Sequence, residues 1–153
     1  MNHELPNRKN IRLQNYDYST SAAYFVTICT QDRKPILSSI TLRDNEPHVH
    51  LTETGRVVEK YLTNMPGLEA YVIMPNHIHF IIMIDEQDDA ADKRSLPQLI
   101  RSFKTIVSKE AACSLWQRNY YEHVIRSEKD MEGRMKYIER NPYRWADDPY
   151  FMG

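Results

Sequence analysis

The chain has 153 residues, 41% hydrophobic and 27% charged, with a net charge of −1 and only 4 glycines. That length suits one domain with its own core, and the glycine count excludes Walker-type and dinucleotide-binding loops. The net charge neither demands nor excludes a polyanionic partner, but the acids gather mid-chain between two basic ends, which could fold into one basic face.

Residues 1–20 are polar, with Arg8, Lys9 and Arg12 among them, and read as an irregular arm. Tyr24–Thr30 is β-branched and aromatic, as a central strand requires. Residues 31–46 read as a loop, and His48–Thr52 as a short strand. Thr52 or Thr54 caps a helix through Val57, Val58, Tyr61 and Leu62, stopped by Pro66 and Gly67. Ala70–Met74 and His77–Ile84 are apolar strands joined at Pro75-Asn76. Asp85–Arg94 is an acidic connection. Ser95 caps a helix with Pro97 near its start, and Leu99, Ile100, Phe103, Ile106 and Val107 fall at helical spacing. Trp116–Ile125 is aromatic and irregular, part of it a strand. A last helix runs from about Glu128 to Glu139 and stops before Pro142. This order predicts an α+β fold with an antiparallel sheet. Cys29 and Cys113 are expected as buried free thiols. With no membrane-length apolar run and no signal-peptide core at the N-terminus, a cytoplasmic protein with no membrane partner is expected.

The chemistry concentrates in Met74-Pro75-Asn76-His77-Ile78-His79-Phe80-Ile81. On a strand, His77 and His79 project from one face while Ile78 enters the opposite layer. Two imidazoles held side by side suit one divalent cation. The last helix offers what such a pair lacks, because Tyr137 and Asn141 are four apart and share a face. The Asn141 carboxamide oxygen suits Mg²⁺ or Mn²⁺, although the residue could instead cap the helix before Pro142. Tyr137, assisted by a cation, could attack phosphorus and form a phosphotyrosine. A second His-x-His, His48 and His50, has no matching partners downstream and reads as surface. Tyr120 and Tyr121 read as packing or base-stacking groups.

Tyr71-Val72-Ile73-Met74-Pro75-Asn76-His77-Ile78-His79, then Trp116-Gln117-Arg118, then Tyr137-Ile138-Glu139-Arg140-Asn141-Pro142, resembles the REP-associated tyrosine transposases of the HUH superfamily of single-tyrosine transposases. Tyr24–Thr30 and Arg33-Lys34 are similar to the family's first strand and following loop, so the resemblance spans about residues 16–145. It implies one transposase domain over residues 1–153 with a ferredoxin-like sandwich, an antiparallel central sheet carrying the helices. It implies a metal held by His77, His79 and Asn141, attack by Tyr137 on single-stranded DNA beside a hairpin, and strand rejoining without ATP. Some relatives carry glutamine where Asn141 stands, so here the helix must approach the strand more closely. Lys104, Arg118, Arg126 and Lys136 are candidate phosphate contacts. The family includes monomers and homodimers with shared sites.

Three other readings compete. A plasmid relaxase or replication initiator would share the chemistry in a larger chain. A non-catalytic single-strand-binding module would not need the histidine pair with the tyrosine. A hydrolase using activated water would want more carboxylates near the histidines.

Overall fold

The computed structural model describes residues 21–85 and 94–147; the predicted N-terminal arm and most of the acidic connection lie outside these. Four antiparallel strands form the central sheet: β1 (Ser21–Cys29), β4 (Leu68–Ile73), β5 (His77–Asp85) and β6 (Tyr121–Ile125), in the spatial order β4-β5-β1-β6. With helices α1 (Glu53–Leu62) and α2 (Leu96–Ala111) as the two crossovers, this is the ferredoxin-like arrangement, with the chain's first and third sheet strands adjacent at the centre. A third helix, α3 (Glu128–Arg140), follows the last strand. The predicted α+β sandwich is therefore the observed one.

The two faces of the sheet bury different layers. Val26, Ile28, Ile73, Ile78, Phe80 and Ile82 pack with Val58 and Leu62 of α1 and Leu99, Ile100, Phe103 and Val107 of α2. Ala23, Phe25, Ala70, Val72, Ile81 and Ile125 pack with Met131 and Ile138 of α3. Strand β5 alternates between the layers as its sequence requires. The helix starts follow their predicted caps. Thr52 Oγ1 accepts from Gly55 N at 3.0 Å, and Ser95 forms a capping box with Gln98. Trp116 is buried, and Thr30 bridges to it beyond the end of β1.

Two expectations are corrected. The segment 31–46 is not all loop: β2 (Ser38–Arg43) pairs with β3 (Glu46–Leu51) as a separate hairpin. Its turn, Asp44-Asn45, has φ of 54° and 66°, the conformation of a type I′ turn. That turn usually advertises itself by an Asn-Gly or Asp-Gly pair, and the pair is absent here. Cys29 is buried but Cys113 is exposed, because it falls just beyond the left-handed residue Ala112 that ends α2. No helix among the described residues is long and apolar enough to cross a membrane.

A Cβ at Gly55 would overlap the carbonyl oxygen of Leu37, to which the Thr52 hydroxyl also donates. Gly55→Ala is expected to lower the unfolding free energy by about 1–3 kcal/mol through overpacking, outweighing a helix-propensity gain of about 1 kcal/mol. Urea denaturation measures this, and an unchanged or higher midpoint contradicts the close approach.

Candidate active site

His77 and His79 stand on the α3 side of β5, in the order the strand's period dictates. Their rings lie with centroids 4.6 Å apart, and both residues are almost fully buried. Their outer nitrogens are held by different partners. His77 Nδ1 lies 2.8 Å from Asn76 Oδ1. That oxygen can only accept, and the Asn76 amide nitrogen is directed to Arg33 O, so the His77 proton sits on Nδ1. His79 Nδ1 pairs at 2.8 Å with the hydroxyl of Thr27, its directly opposite neighbour on β1. The Nε2 atoms of both rings are buried. A His79 Nδ1–H directed at Thr27 would match His77 and turn two lone pairs toward one place, the orientation that outer partners commonly give metal-binding histidines.

Helix α3 brings the other two predicted residues to this pair. The Tyr137 ring meets His79 edge-on at 5.2 Å and Phe25 edge-on at 5.8 Å, while Phe25 stacks on His79 at 5.2 Å. Asn141, one turn further, is 3% exposed. Its backbone is right-handed helical (φ −56°, ψ −43°), not the left-handed conformation of a terminating cap. Beyond it the chain continues in tight turns over Asn141–Asp147, and Trp145 comes to 6.1 Å from His77. The Asn141 carboxamide lies near enough to favour a protonated His77, yet its Oδ1 is buried without a hydrogen bond of normal geometry. A buried carbonyl oxygen left this way costs roughly 1–3 kcal/mol, so this one calls for an occupant or a function. Two imidazole nitrogens and a carboxamide oxygen form a donor set that suits a divalent cation. Among the described residues no group of three or more His, Cys, Asp or Glu gathers to offer a rival set.

Burial drives the His77 pKa down to about 3, with the Asn141 side chain opposing and Arg33 adding to the fall. Burial also lowers His79 well below the usual range, helped by His77 and then Arg134. Both rings are therefore neutral at pH 7, the form that donates a lone pair.

The four predicted phosphate contacts are scattered. Lys104 stands on α2, across the sheet from the histidines, and its ammonium donates to Gln117 O (2.7 Å) and Arg118 O (3.0 Å). Arg118, Arg126 and Lys136 are exposed near β6 and on α3. His48 and His50 lie on the β2–β3 hairpin, where His50 pairs with Thr41. Tyr121 is 51% exposed opposite Thr27, on the histidine face, whereas Tyr120 packs against the other layer. Sequence reasoning missed Thr27, Phe25, Trp145, Arg33 and Arg134 as neighbours of the site. Only Arg134 left a readable signal, being three residues before Tyr137 on one helix.

In the unfolded chain both histidines titrate near pH 6.5; in the fold neither does until far lower pH. Below pH 6.5 the unfolded state binds more protons, so stability is complete above that pH and falls as pH drops toward 3. Denaturant midpoints measured in a chelator should follow this course, and His77→Gln/His79→Gln should flatten it. An equal slope in both proteins would contradict the burial argument.

Comparison with known proteins adds an independent line. No family model matches the chain. An uncharacterised protein of Haemophilus influenzae is 30% identical over 172 aligned residues, covering 95% of this chain and 93% of the relative. A second Haemophilus influenzae protein, named "Putative REP-associated tyrosine transposase", is 31% identical over 145 residues, covering 86% of this chain and 77% of the relative. A solved structure of a REP-associated tyrosine transposase bound to a REP hairpin superposes with a TM-score of 0.56 at 23% identity, over 80% of this chain and 67% of that one, a likeness of fold. With the second relative matched over more than two thirds of its length, the chain belongs to the REP-associated tyrosine transposases, a family of enzymes.

Proposed function

We propose that the protein is a single transposase domain that cleaves and rejoins single-stranded DNA beside hairpins, with Tyr137 as its nucleophile. The observation that carries this reading is the edge-on seat of Tyr137 against His79 within one chain, one helical turn from the buried Asn141 oxygen. That the related solved structure holds a REP hairpin supports hairpin DNA as the partner here too.

The phenolic oxygen of Tyr137 attacks the scissile phosphorus. A Tyr Oη–P bond forms and the P–O3′ bond breaks, so the DNA 5′ end stays on the protein. The phenol proton leaves and the freed 3′ oxygen is protonated, which balances the step. Attack by a 3′-OH on the phosphotyrosine reverses it and joins strands with no external energy source. Phe25 and His79 wall the phenol into one orientation, and positioning of this kind is a large part of such catalysis. Asn76 and Thr27 fix the imidazoles, and Trp145 covers His77. His77, His79 and Asn141 would hold a divalent cation, Mg²⁺ or Mn²⁺, which when bound supplies Lewis-acid polarisation of a phosphate oxygen. Arg118, Arg126 and Lys136 are exposed candidates for contacts along the DNA backbone, and Tyr121 offers a face on which a base can stack. Lys104 has less to give, since two carbonyls already engage it. Tyr137 meets His79 of its own chain, and the proposed reading builds the site from that one copy.

Denaturing electrophoresis with labelled hairpin-bearing single strands and Mn²⁺ tests the chemistry. The wild type should give a covalent DNA–protein band, and Tyr137→Phe should give none while binding the DNA about as well. A band that survives the substitution removes Tyr137 as the nucleophile. Thr27→Val keeps the shape of a buried residue and deletes the partner of His79. It should lower Mn²⁺ affinity or cleavage rate roughly 10–100-fold, as loss of an outer-shell partner does. Unchanged values for both would show that Thr27 does not orient a ligand.

A further inference from the structure

Arg134 is held beside the site by contacts that leave most of its donors for a substrate. It lies three residues before Tyr137, on the same face of α3. Helical side chains lean toward the N-terminus, so the Tyr137 phenol leans over the turn that carries Arg134. The guanidinium carbon sits 5.0 Å from the centre of the Phe25 ring, the ring that also stacks on His79 and meets Tyr137. Its Nε lies 3.5 Å from Asp130 Oδ1. The other Asp130 oxygen pairs with His123 Nε2 at 2.7 Å, and the Asp130 amide is capped by Ser127. Asp130 is thus fixed from two sides and fixes Arg134 in turn. Neither Nη group hydrogen-bonds a described residue, and the side chain is 29% exposed. The positive charge is felt at His79, whose protonated form it opposes.

We infer that Arg134 grips the scissile phosphate, its two Nη groups donating to a non-bridging oxygen while Tyr137 attacks the phosphorus. A guanidinium fork fits a phosphate in a way a lysine ammonium cannot. Attack on phosphorus spreads negative charge over the non-bridging oxygens, and a donor already in place stabilises that charge without reorganising. Phe25 serves both partners: one ring supports the cation that holds the phosphate and the phenol that attacks it. The His123–Asp130 pair positions the guanidinium and does not itself reach the phosphate.

This inference rests on the proposed role of the site, and its test separates the two. Hairpin-bearing oligonucleotides are first selected from a randomised pool by binding to the full chain. A single neutral methylphosphonate is then scanned along the bound strand. Affinities are measured for Tyr137→Phe and for Tyr137→Phe/Arg134→Ala, so that no strand is cut. At one position the methylphosphonate should weaken binding to the first protein about tenfold and leave binding to the second almost unchanged, because the lost charge and the lost guanidinium are partners. That position should be the phosphate found on Tyr137 in the wild type. Arg134→Ala alone should slow adduct formation roughly a hundredfold, with Arg134→Lys recovering only part. Coupling at no position, or at a phosphate other than the one cleaved, overturns the inference. Coupling at one phosphate with no adduct from the wild type leaves Arg134 as a DNA contact and removes the tyrosine chemistry instead. A protein that selects no DNA removes both.

Discussion

Strand β5 is buried on both faces, and the site depends on that burial. Ile78, Phe80 and Ile82 fix the strand in one layer, so the intervening positions have no freedom to turn away. Histidines placed there lose water, and loss of water rather than any nearby charge is the main reason they remain neutral. Neutral rings need hydrogen-bonding partners inside the fold, and two quite different ones provide them. One is a turn residue next door in sequence, Asn76. The other is a strand residue 52 positions away, Thr27. The edge-on contact between the rings follows from two residues sharing one strand face with a single residue between them.

Helix α3 completes this arrangement because it is amphipathic in an unusual sense. Met131 and Ile138 bury apolar surface against the sheet. The same side of the helix also delivers Arg134, Tyr137 and Asn141. The first two surround Phe25, and the third lies next to His77. A helix seated by only two fully buried apolar side chains would be loosely held. The continuation after Asn141 adds a second hold: Tyr143 donates to Glu46 at 2.6 Å, tying the end of α3 to the β2–β3 hairpin. That hairpin lies outside the four-stranded sheet, with Ile40 packed against the α3 layer and Leu51 against the other. Its place in the fold is to brace the segment carrying Asn141 and Trp145.

Most of the sandwich was legible because it rests on local patterns. The period-2 run from His77 to Ile84, the caps at Thr52 and Ser95 and the apolar spacing of α2 each name an element without reference to any other. Which residues face the histidines is a different kind of information. Thr27 and Phe25 reach them through the pairing register of β1 with β5, and no local pattern encodes that register. The β2–β3 hairpin escaped for a related reason. Its turn uses Asp44 and Asn45 in a conformation more often marked by glycine, and its strands are short and largely exposed. Asn141 read ambiguously because proline follows it, which ordinarily ends a helix. Here proline is accommodated by loosening α3 into tighter turns, which bring Trp145 back over His77. Cys113 misled because two alanines precede it, and alanine tolerates surface and core alike.

The shorter side chain at position 141 follows from the same packing. With glutamine the helix could stand further from β5 and still present its oxygen. Asparagine requires close approach, and close approach requires small groups between helix and sheet. The sheet supplies one at Ala70 of β4, buried in the layer beneath α3. A larger side chain there would lift the helix and carry the Asn141 oxygen away from the imidazoles. Asn141 and Ala70 are therefore best understood together, the reach of a short side chain set against the depth of the layer that carries it.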